Sequence, residues 1–314
     1  MLRLSSKYKN LISKIILISG PTASGKSKYA IKIAKRLNGE IVNADSMQIY
    51  KEIRVLNARP NKVYTKNIKH HLYGFHSVKK NFSTGKWLIL AEQVIKKIIK
   101  KNKIPIVVGG TGLYFKALNY GLAKIPKVPK VIRNNIIKEQ KKIGQKKFYK
   151  KLIKVDPIAK EKINQNDSQR SIRAYEVKKF TKKSIFEWFK KTKKIFPNDK
   201  FIKIYIDYPR LNLIKKIDLR IIRMLRSGAI SEVKHFKKLR VSKDFTSNKI
   251  IGILEISEYL RRILRLQEAK DKISIKTKQY AKRQATWARG HMKDWHKVND
   301  LKLKSFIKIL NSYL

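Results

Sequence analysis

No cysteine occurs among the 314 residues, which excludes disulfides, thiolate metal sites and a cysteine nucleophile. Histidine is scarce as well. The six residues show no metal-ligand spacing, and the adjacent His70 and His71 read as a structural pair. No apolar run approaches the roughly 20 residues that span a bilayer. Met1 to Lys14 has no apolar core of the signal-peptide kind, so no membrane partner is expected and the cytoplasm is the expected compartment. Acidic side chains are few, 21 against 77 basic ones, for a net charge of +56. A field of that sign attracts polyanions. Lysine and isoleucine are abundant together, however, as an AT-rich coding sequence would produce, so where the charge sits says more than its total.

What the chain does contain begins with Gly20-Pro21-Thr22-Ala23-Ser24-Gly25-Lys26-Ser27. This Gly-x4-Gly-Lys-Ser string lies between an apolar run, Ile15 to Ile18, and a helical pattern at Tyr29, Ala30, Ile33, Ala34 and Leu37. A strand, a glycine-rich turn and a helix N-terminus aim backbone N–H groups at one point; Lys26 adds a full charge, and the Ser27 hydroxyl can ligate Mg2+. The loop should grip a di- or triphosphate.

Further short β-branched runs, Glu40 to Ala44 and Ile104 to Val108, alternate with helical patterns at Ser27 to Leu37 and Lys86 to Lys101. That rhythm predicts an α/β fold: a P-loop-containing parallel sheet core flanked by helices, with ligand chemistry at the carboxyl ends of the strands. From about Ala123 to Lys200 no strand pattern appears, and the stretch carries 25 basic and 7 acidic residues. It reads as an inserted all-helical domain at 123–200. The core resumes with an alternating segment, Phe201 to Asp207, read as a strand, and a helix Leu211 to Ser227 that stops at Gly228. The remainder reads helical, so 1–122 and 201–314 form the core.

A nucleotide-hydrolysing P-loop protein usually carries an Asp at the end of a second apolar strand to hold Mg2+. Here Ile104 to Val108 runs into Gly109-Gly110-Thr111-Gly112 without an acid. The acid stands instead in Asp45-Ser46-Met47-Gln48-Ile49-Tyr50, after the second predicted strand. That position suits a carboxylate serving an acceptor rather than the metal.

These strings, with Val108 to Tyr114, Asn166-Asp167-Ser168-Gln169-Arg170 and Ala281-Lys282-Arg283-Gln284-Ala285-Thr286-Trp287-Ala288-Arg289, together resemble the tRNA dimethylallyltransferase (tRNA isopentenyltransferase) family along nearly the whole chain. The resemblance implies transfer of a dimethylallyl group from dimethylallyl diphosphate, with Mg2+, to the N6 amine of adenosine 37 in the anticodon stem-loop of tRNA. It implies catalytic roles for Asp45, Thr111 and Arg220, with Arg223 one turn on as a substitute for Arg220. RNA contacts implied in the same way fall on Asp45 to Gln48, Thr111, Arg133, Gln169, Arg170, Ser171, Ile172, Arg173, Ile250, Ile251, Gly252, Ile253, Leu254, Glu255, Lys282 and Arg283. No protein partner is implied, and a monomer is expected.

The chemistry needs these residue types. An adenine amine is a poor nucleophile, and a carboxylate, ionised at neutral pH, can take its proton as nitrogen bonds to carbon. The departing diphosphate needs cations: Lys26, the loop amides, Ser27 with Mg2+, and Arg220. Plainer readings stand beside these. Asp45 is also a residue type that caps turns and helices, Arg220 a type that pairs with acids on helix surfaces, and Thr111 a shaper of its glycine-rich turn. Tyr175, Phe186, Trp188, Phe189 and Trp287 have spacings that suit a helix core as well as base stacking.

The chain departs from the family at Leu56-Asn57-Ala58-Arg59-Pro60, where Gly-Thr-Ala-Lys-Pro is usual, at Ile253, where Tyr is usual, and over Asn81 to Trp87. Rival functions are a small-molecule kinase or ATPase, a prenyltransferase acting on free adenine nucleotides, and an RNA-binding module without catalysis. ATP turnover without a prenyl donor, prenylation of AMP, or indifference to loss of Asp45 would mark each of them in turn.

Overall fold

The computed structural model describes residues 11–60 and 67–313; of the segment Met1 to Lys14, residues 1–10 lie outside them. The short apolar runs become strands β1 (Ile15–Ser19), β2 (Gly39–Asn43), β3 (His70–His71), β4 (Ile104–Gly109), β5 (Phe201–Ile206) and β6 (His296–Val298). They form one sheet in the order β3-β2-β4-β1-β5-β6, with every pairing parallel. A central parallel strand is covered on both faces and therefore reads as a continuous apolar run. β1 and β4 are buried at every residue. β5 is the instructive case: its alternation of residue types suggests one wet face, yet five of its six residues are buried, and Lys203, partly buried, reaches Asp294 at 2.7 Å.

β1 lies between β4 and β5, so the loop leaving β1 emerges beside the turn leaving β4. The helix Lys26–Leu37 that follows the loop buries Tyr29, Ala30, Ile33, Ala34 and Leu37 on one stripe and ends at Asn38 in a left-handed conformation, φ 50°, whose N–H caps the Ala34 carbonyl. The helix Thr84–Lys100 starts at Ser83, whose hydroxyl accepts from Lys86 N. Its Trp87 is fully buried and donates from Nε1 to the Asn43 carbonyl at 2.8 Å, which fixes the end of β2 two residues before Asp45. Helices Arg210–Arg226, Ala229–Lys238, Ile253–Leu260 and Leu266–His291 share a second apolar cluster around Leu213, Ile217, Ile221, Val233, Ile256 and Ile273.

Gly109 marks where β4 passes the chain leaving β2. A Cβ there would stand 2.0 Å from the Ala44 carbonyl oxygen. Gly109→Ala is expected to cost about 1–3 kcal/mol of stability, as overpacking against backbone does, and denaturant unfolding checks it.

Residues Tyr120–Ile195 form a separate compact unit, against 123–200 read from sequence. It is helical: Lys130–Val155, interrupted at Gly144, then Ala159–Lys162, Ser168–Thr181 and Ile185–Lys190. Its own core gathers Ile136, Phe148, Leu152, Ala174, Tyr175 and Val177. No helix among the described residues is long and apolar enough to cross a membrane.

Candidate active site

The loop Gly20 to Gly25 wraps the N-terminus of the helix Lys26–Leu37, with Ala23 at φ 64° and Gly25 at φ 88°. These left-handed residues turn the chain sharply, and Ser24 N–H donates across the turn to the Pro21 carbonyl at 3.2 Å. A cavity of about 790 Å³ opens there, lined by Thr22 to Ala23, Gly25 to Lys28, Asp45, Gln48, residues 54–55 and 57–59, Lys216, Arg220, Arg223, Met224 and Ser227. Seven of these side chains are Lys or Arg and one, Asp45, is an acid. Lys28, Arg54, Arg59 and Lys216 go beyond the cations expected from sequence.

Lys26 Nζ donates to the Pro21 carbonyl at 3.2 Å, folding back over its own loop. Burial pushes its pKa down to about 8; Asp45 works against that shift and Arg220 adds to it. Arg220 Nη1 donates to Thr22 Oγ1 at 2.9 Å. The plain reading of Arg220 as an acid-paired surface residue does not describe this side chain: it is turned into the cavity, where burial lowers its pKa. Arg223 lines the same cavity, its Nε donating to Leu219 O at 3.2 Å.

Asp45 follows β2 in a turn. Its N–H donates to Asn43 Oδ1 at 2.9 Å, and its own Oδ1 accepts from Met47 N at 2.9 Å. The turn-capping reading is therefore real, and it leaves the carboxylate in the cavity with the phosphate loop. Burial, with the charge of Asp45 adding to it, pushes the phenols of Tyr73, Tyr114 and Tyr280 well above their ordinary value, so they stay protonated around it. Thr111 Oγ1 accepts from Ser46 N at 2.9 Å and donates to Ser46 Oγ at 3.2 Å. It shapes the turn and also lines a second cavity, of about 280 Å³, with Met47, Gly110, Tyr280, Arg283, Gln284 and Trp287. Trp287 packs so close to Gly112 that a Cβ there would fall 2.3 Å from its ring, and it stacks on His291 at 4.3 Å.

One residue that sequence reasoning missed is Glu232. Its carboxylate accepts from three successive backbone N–H groups, of Arg54 at 2.5 Å, Val55 at 2.8 Å and Leu56 at 2.9 Å, and so holds the loop that walls the large cavity. Asn57 helps: its Nδ2 donates to Met47 O and Ile53 O, while Gln48 Nε2 donates to Asn57 O. Leu56 and Ile253, two of the departures noted above, fall in one apolar cluster with Ile49, Tyr50 and Ile53.

Several residues expected at the RNA surface are not on a surface. Ile250, Gly252, Ile253 and Glu255 are buried. Glu255 is spent within the fold, accepting from Gly252 N at 2.8 Å and pairing with Lys276, so the string 250–255 shows solvent mainly Leu254 and part of Ile251. Ser171 is also buried and accepts from Gln145 Nε2 at 3.1 Å. Gln169, Arg170, Lys282 and Arg283 are exposed, and Ile172 and Arg173 are half-buried. Arg133 and Arg173 are both held by the fully buried Glu176, Arg133 at 2.9 Å and Arg173 at 2.5 Å. Tyr175 is core, whereas Phe189 is half exposed. His71 pairs with Glu40 at 2.7 Å, a structural role.

A Mg2+ ion fits as a companion of bound phosphate. Ser27 lines the cavity on the first turn of its helix, and Mg2+ characteristically takes substrate oxygens and water with few protein ligands. Among the described residues no group of three His, Cys, Asp or Glu could cage a metal.

Residues 48–291 match the protein-family model described as IPP transferase, and residues 13–80 match one described as isopentenyl transferase. The chain is 58% identical to the tRNA dimethylallyltransferase of Pelagibacter ubique (strain HTCC1062), over 95% of both chains. It is 45% identical to that of Rickettsia massiliae (strain Mtu5), over 92% of this chain and 79% of the relative. The solved full-length tRNA isopentenylpyrophosphate transferase from Bacillus halodurans superposes with a TM-score of 0.67 at 30% identity, over 96% and 94% of the two chains. A eukaryotic dimethylallyltransferase solved acting on tRNA gives 0.80 at 26% identity, over 95% and 77%.

Proposed function

Since this chain belongs to the tRNA dimethylallyltransferase (IPP transferase) family, we propose that its larger cavity takes dimethylallyl diphosphate and that Asp45 is the base acting on N6 of tRNA adenosine 37. The enzyme transfers the dimethylallyl group to that nitrogen, giving N6-isopentenyladenosine. What carries the assignment of roles is one juxtaposition: the phosphate loop, Lys26, Arg220 and Asp45 line one cavity.

In the reaction the allylic C–O bond breaks and the N6–C bond forms. The electron pair of the broken bond leaves on the diphosphate, and one N6 proton passes to Asp45. Carbon is cation-like along this path, so stabilising the departing anion is the larger task. The loop amides, Lys26 and Arg220 would do this from the wall of the larger cavity, since fixed charges beside low-dielectric protein act more strongly than in bulk water. Mg2+, when bound to the diphosphate with Ser27 and water, would neutralise further charge. The RNA contacts we assign to the helical unit, taken by itself, are Gln169, Arg170, Ile172 and Arg173; those we assign to the core are Lys282 and Arg283, with Ser46 to Gln48 and Thr111 nearest the target base, which must leave its stack to react. A single chain supplies all these groups.

The lowered pKa of Lys26 gives a testable pH dependence. In the free site it titrates at about 8, and a bound diphosphate raises that value by favouring the charged form. Donor affinity should therefore be complete below about 8, where Lys26 is already charged and binding takes up no proton, and fall by up to about tenfold per pH unit above it, where binding takes up as much as one proton. Calorimetry at two pH values in buffers of different ionisation heat checks this. Incubating the protein with AMP in place of tRNA separates the proposed acceptor from a free nucleotide: prenylated AMP with unmodified tRNA would refute the assignment.

A further inference from the structure

Gln284 lines the smaller cavity and bonds to one wall residue of each cavity, Thr22 of the larger and Gly110 of the smaller. Its Oε1 accepts from Thr22 N–H at 2.8 Å, and its Nε2 donates to the Gly110 carbonyl at 2.9 Å. From Thr22 the chain of bonds continues to Arg220, whose Nη1 donates to Thr22 Oγ1 at 2.9 Å. From Gly110 it continues through the next residue, Thr111, whose Oγ1 accepts from Ser46 N at 2.9 Å, and Ser46 adjoins Asp45. One side chain thus joins the phosphate loop and its cation to the turn beside the proposed base, across partners that are 262 and 174 residues away in sequence.

The chemistry calls for an amide. Thr22 offers a donor and Gly110 an acceptor, and a carboxamide presents an acceptor and a donor on adjacent atoms, whereas an ionised Glu would set a second acceptor against the Gly110 oxygen. Gly110 is matched to it, since a Cβ there would stand 2.1 Å from Gln284 Nε2. The helix that carries Gln284 is itself clamped to the helix of Arg220: Asp218 accepts from Ser274 Oγ at 2.6 Å and pairs with Lys278 at 2.9 Å. The bridge therefore spans two braced elements.

We infer that Gln284 is a positioning residue that fixes Thr22, and through it Arg220, against the Gly110–Thr111 turn, so that leaving-group cation and acceptor side are held in one geometry. This rests on the proposed reading of Arg220 as a diphosphate cation.

The test is a double-mutant cycle on the full-length enzyme with tRNA and dimethylallyl diphosphate. Gln284→Met, close in volume and without the amide, should lower kcat about 10- to 100-fold, the scale on which an ångström of misplacement acts, and leave KM for tRNA within about twofold. Gln284→Glu keeps the Thr22 bond but sets a carboxylate oxygen against the Gly110 carbonyl, so it should not restore kcat to the wild-type value. Combined with Arg220→Ala, Gln284→Met should add little, because it acts through a group already gone. A lowered melting temperature with unchanged kcat would reduce Gln284 to a structural tie. A raised KM for tRNA at unchanged kcat would make it an RNA contact, and full multiplication with Arg220→Ala would break the proposed link; each overturns the inference. If Arg220→Ala alone leaves kcat and donor KM untouched, the reading of Arg220 fails first, and the cycle shows which of the two has failed.

Discussion

Asp45→Asn should lower kcat for prenyl transfer by about 10²- to 10⁴-fold, the range of a positioned general base, while the protein folds and binds both substrates. Asparagine is the informative replacement. Its Oδ1 can still accept from Met47 N, as the Asp45 Oδ1 does at 2.9 Å, so the turn survives and only the charge and basicity go. The loss should reach beyond proton transfer. Asp45 holds the Lys26 pKa up against burial, so without it Lys26 should titrate below about 8 and donor affinity should begin to fall at lower pH. Single-turnover kinetics, with donor affinity followed against pH in the same variant, separate the two effects. Retained kcat would return Asp45 to a turn cap.

Arg220→Ala should lower kcat by about 10²- to 10³-fold, as removal of one preorganised donor to a developing anion does. The side chain is pre-set: Nη1 already donates to Thr22 Oγ1 in the free enzyme. Arg220→Lys should recover only part of the loss, because an ammonium is a point charge that lacks the planar fork able to hold Thr22 and a phosphate oxygen together. Stability should change little or rise, since burial disfavours the guanidinium charge in the folded state. Steady-state kinetics beside thermal melts check both parts. A large loss of stability with kcat intact in the surviving fold would assign Arg220 to architecture.

The strand–turn–helix that carries Gly20 to Ser27 is legible in sequence because everything it needs is local: a strand, a turn and a helix start within a dozen residues. The parallel sheet is legible for a related reason, since central strands such as Ile15–Ser19 and Ile104–Gly109 must be apolar throughout. Glu232 and Gln284 are not legible. A glutamate on the first turn of a helix looks like any dipole-favouring residue, and nothing local announces that it collects three backbone N–H groups of residues 54–56. Gln284 lies inside a recognisable string, yet its partners come from two distant turns. The string 250–255 is the opposite case. Its residues can be matched to an RNA-contacting segment, but the folding of Gly252–Glu255 into a buried helix start turns most of their side chains away from solvent, which only the tertiary packing decides. The departure at Asn57 likewise acquires a meaning in three dimensions, as the clasp on Met47 and Ile53.

The most direct measurement is nucleoside mass spectrometry of unmodified tRNA incubated with Mg2+, dimethylallyl diphosphate and either the wild-type protein or Asp45→Asn. The expected result is a five-carbon addition to adenosine 37 with the wild type and almost none with the variant in the same time. Equal addition by both proteins would contradict the assignment of Asp45 as the base, and an addition at another nucleoside would contradict the assignment of the acceptor.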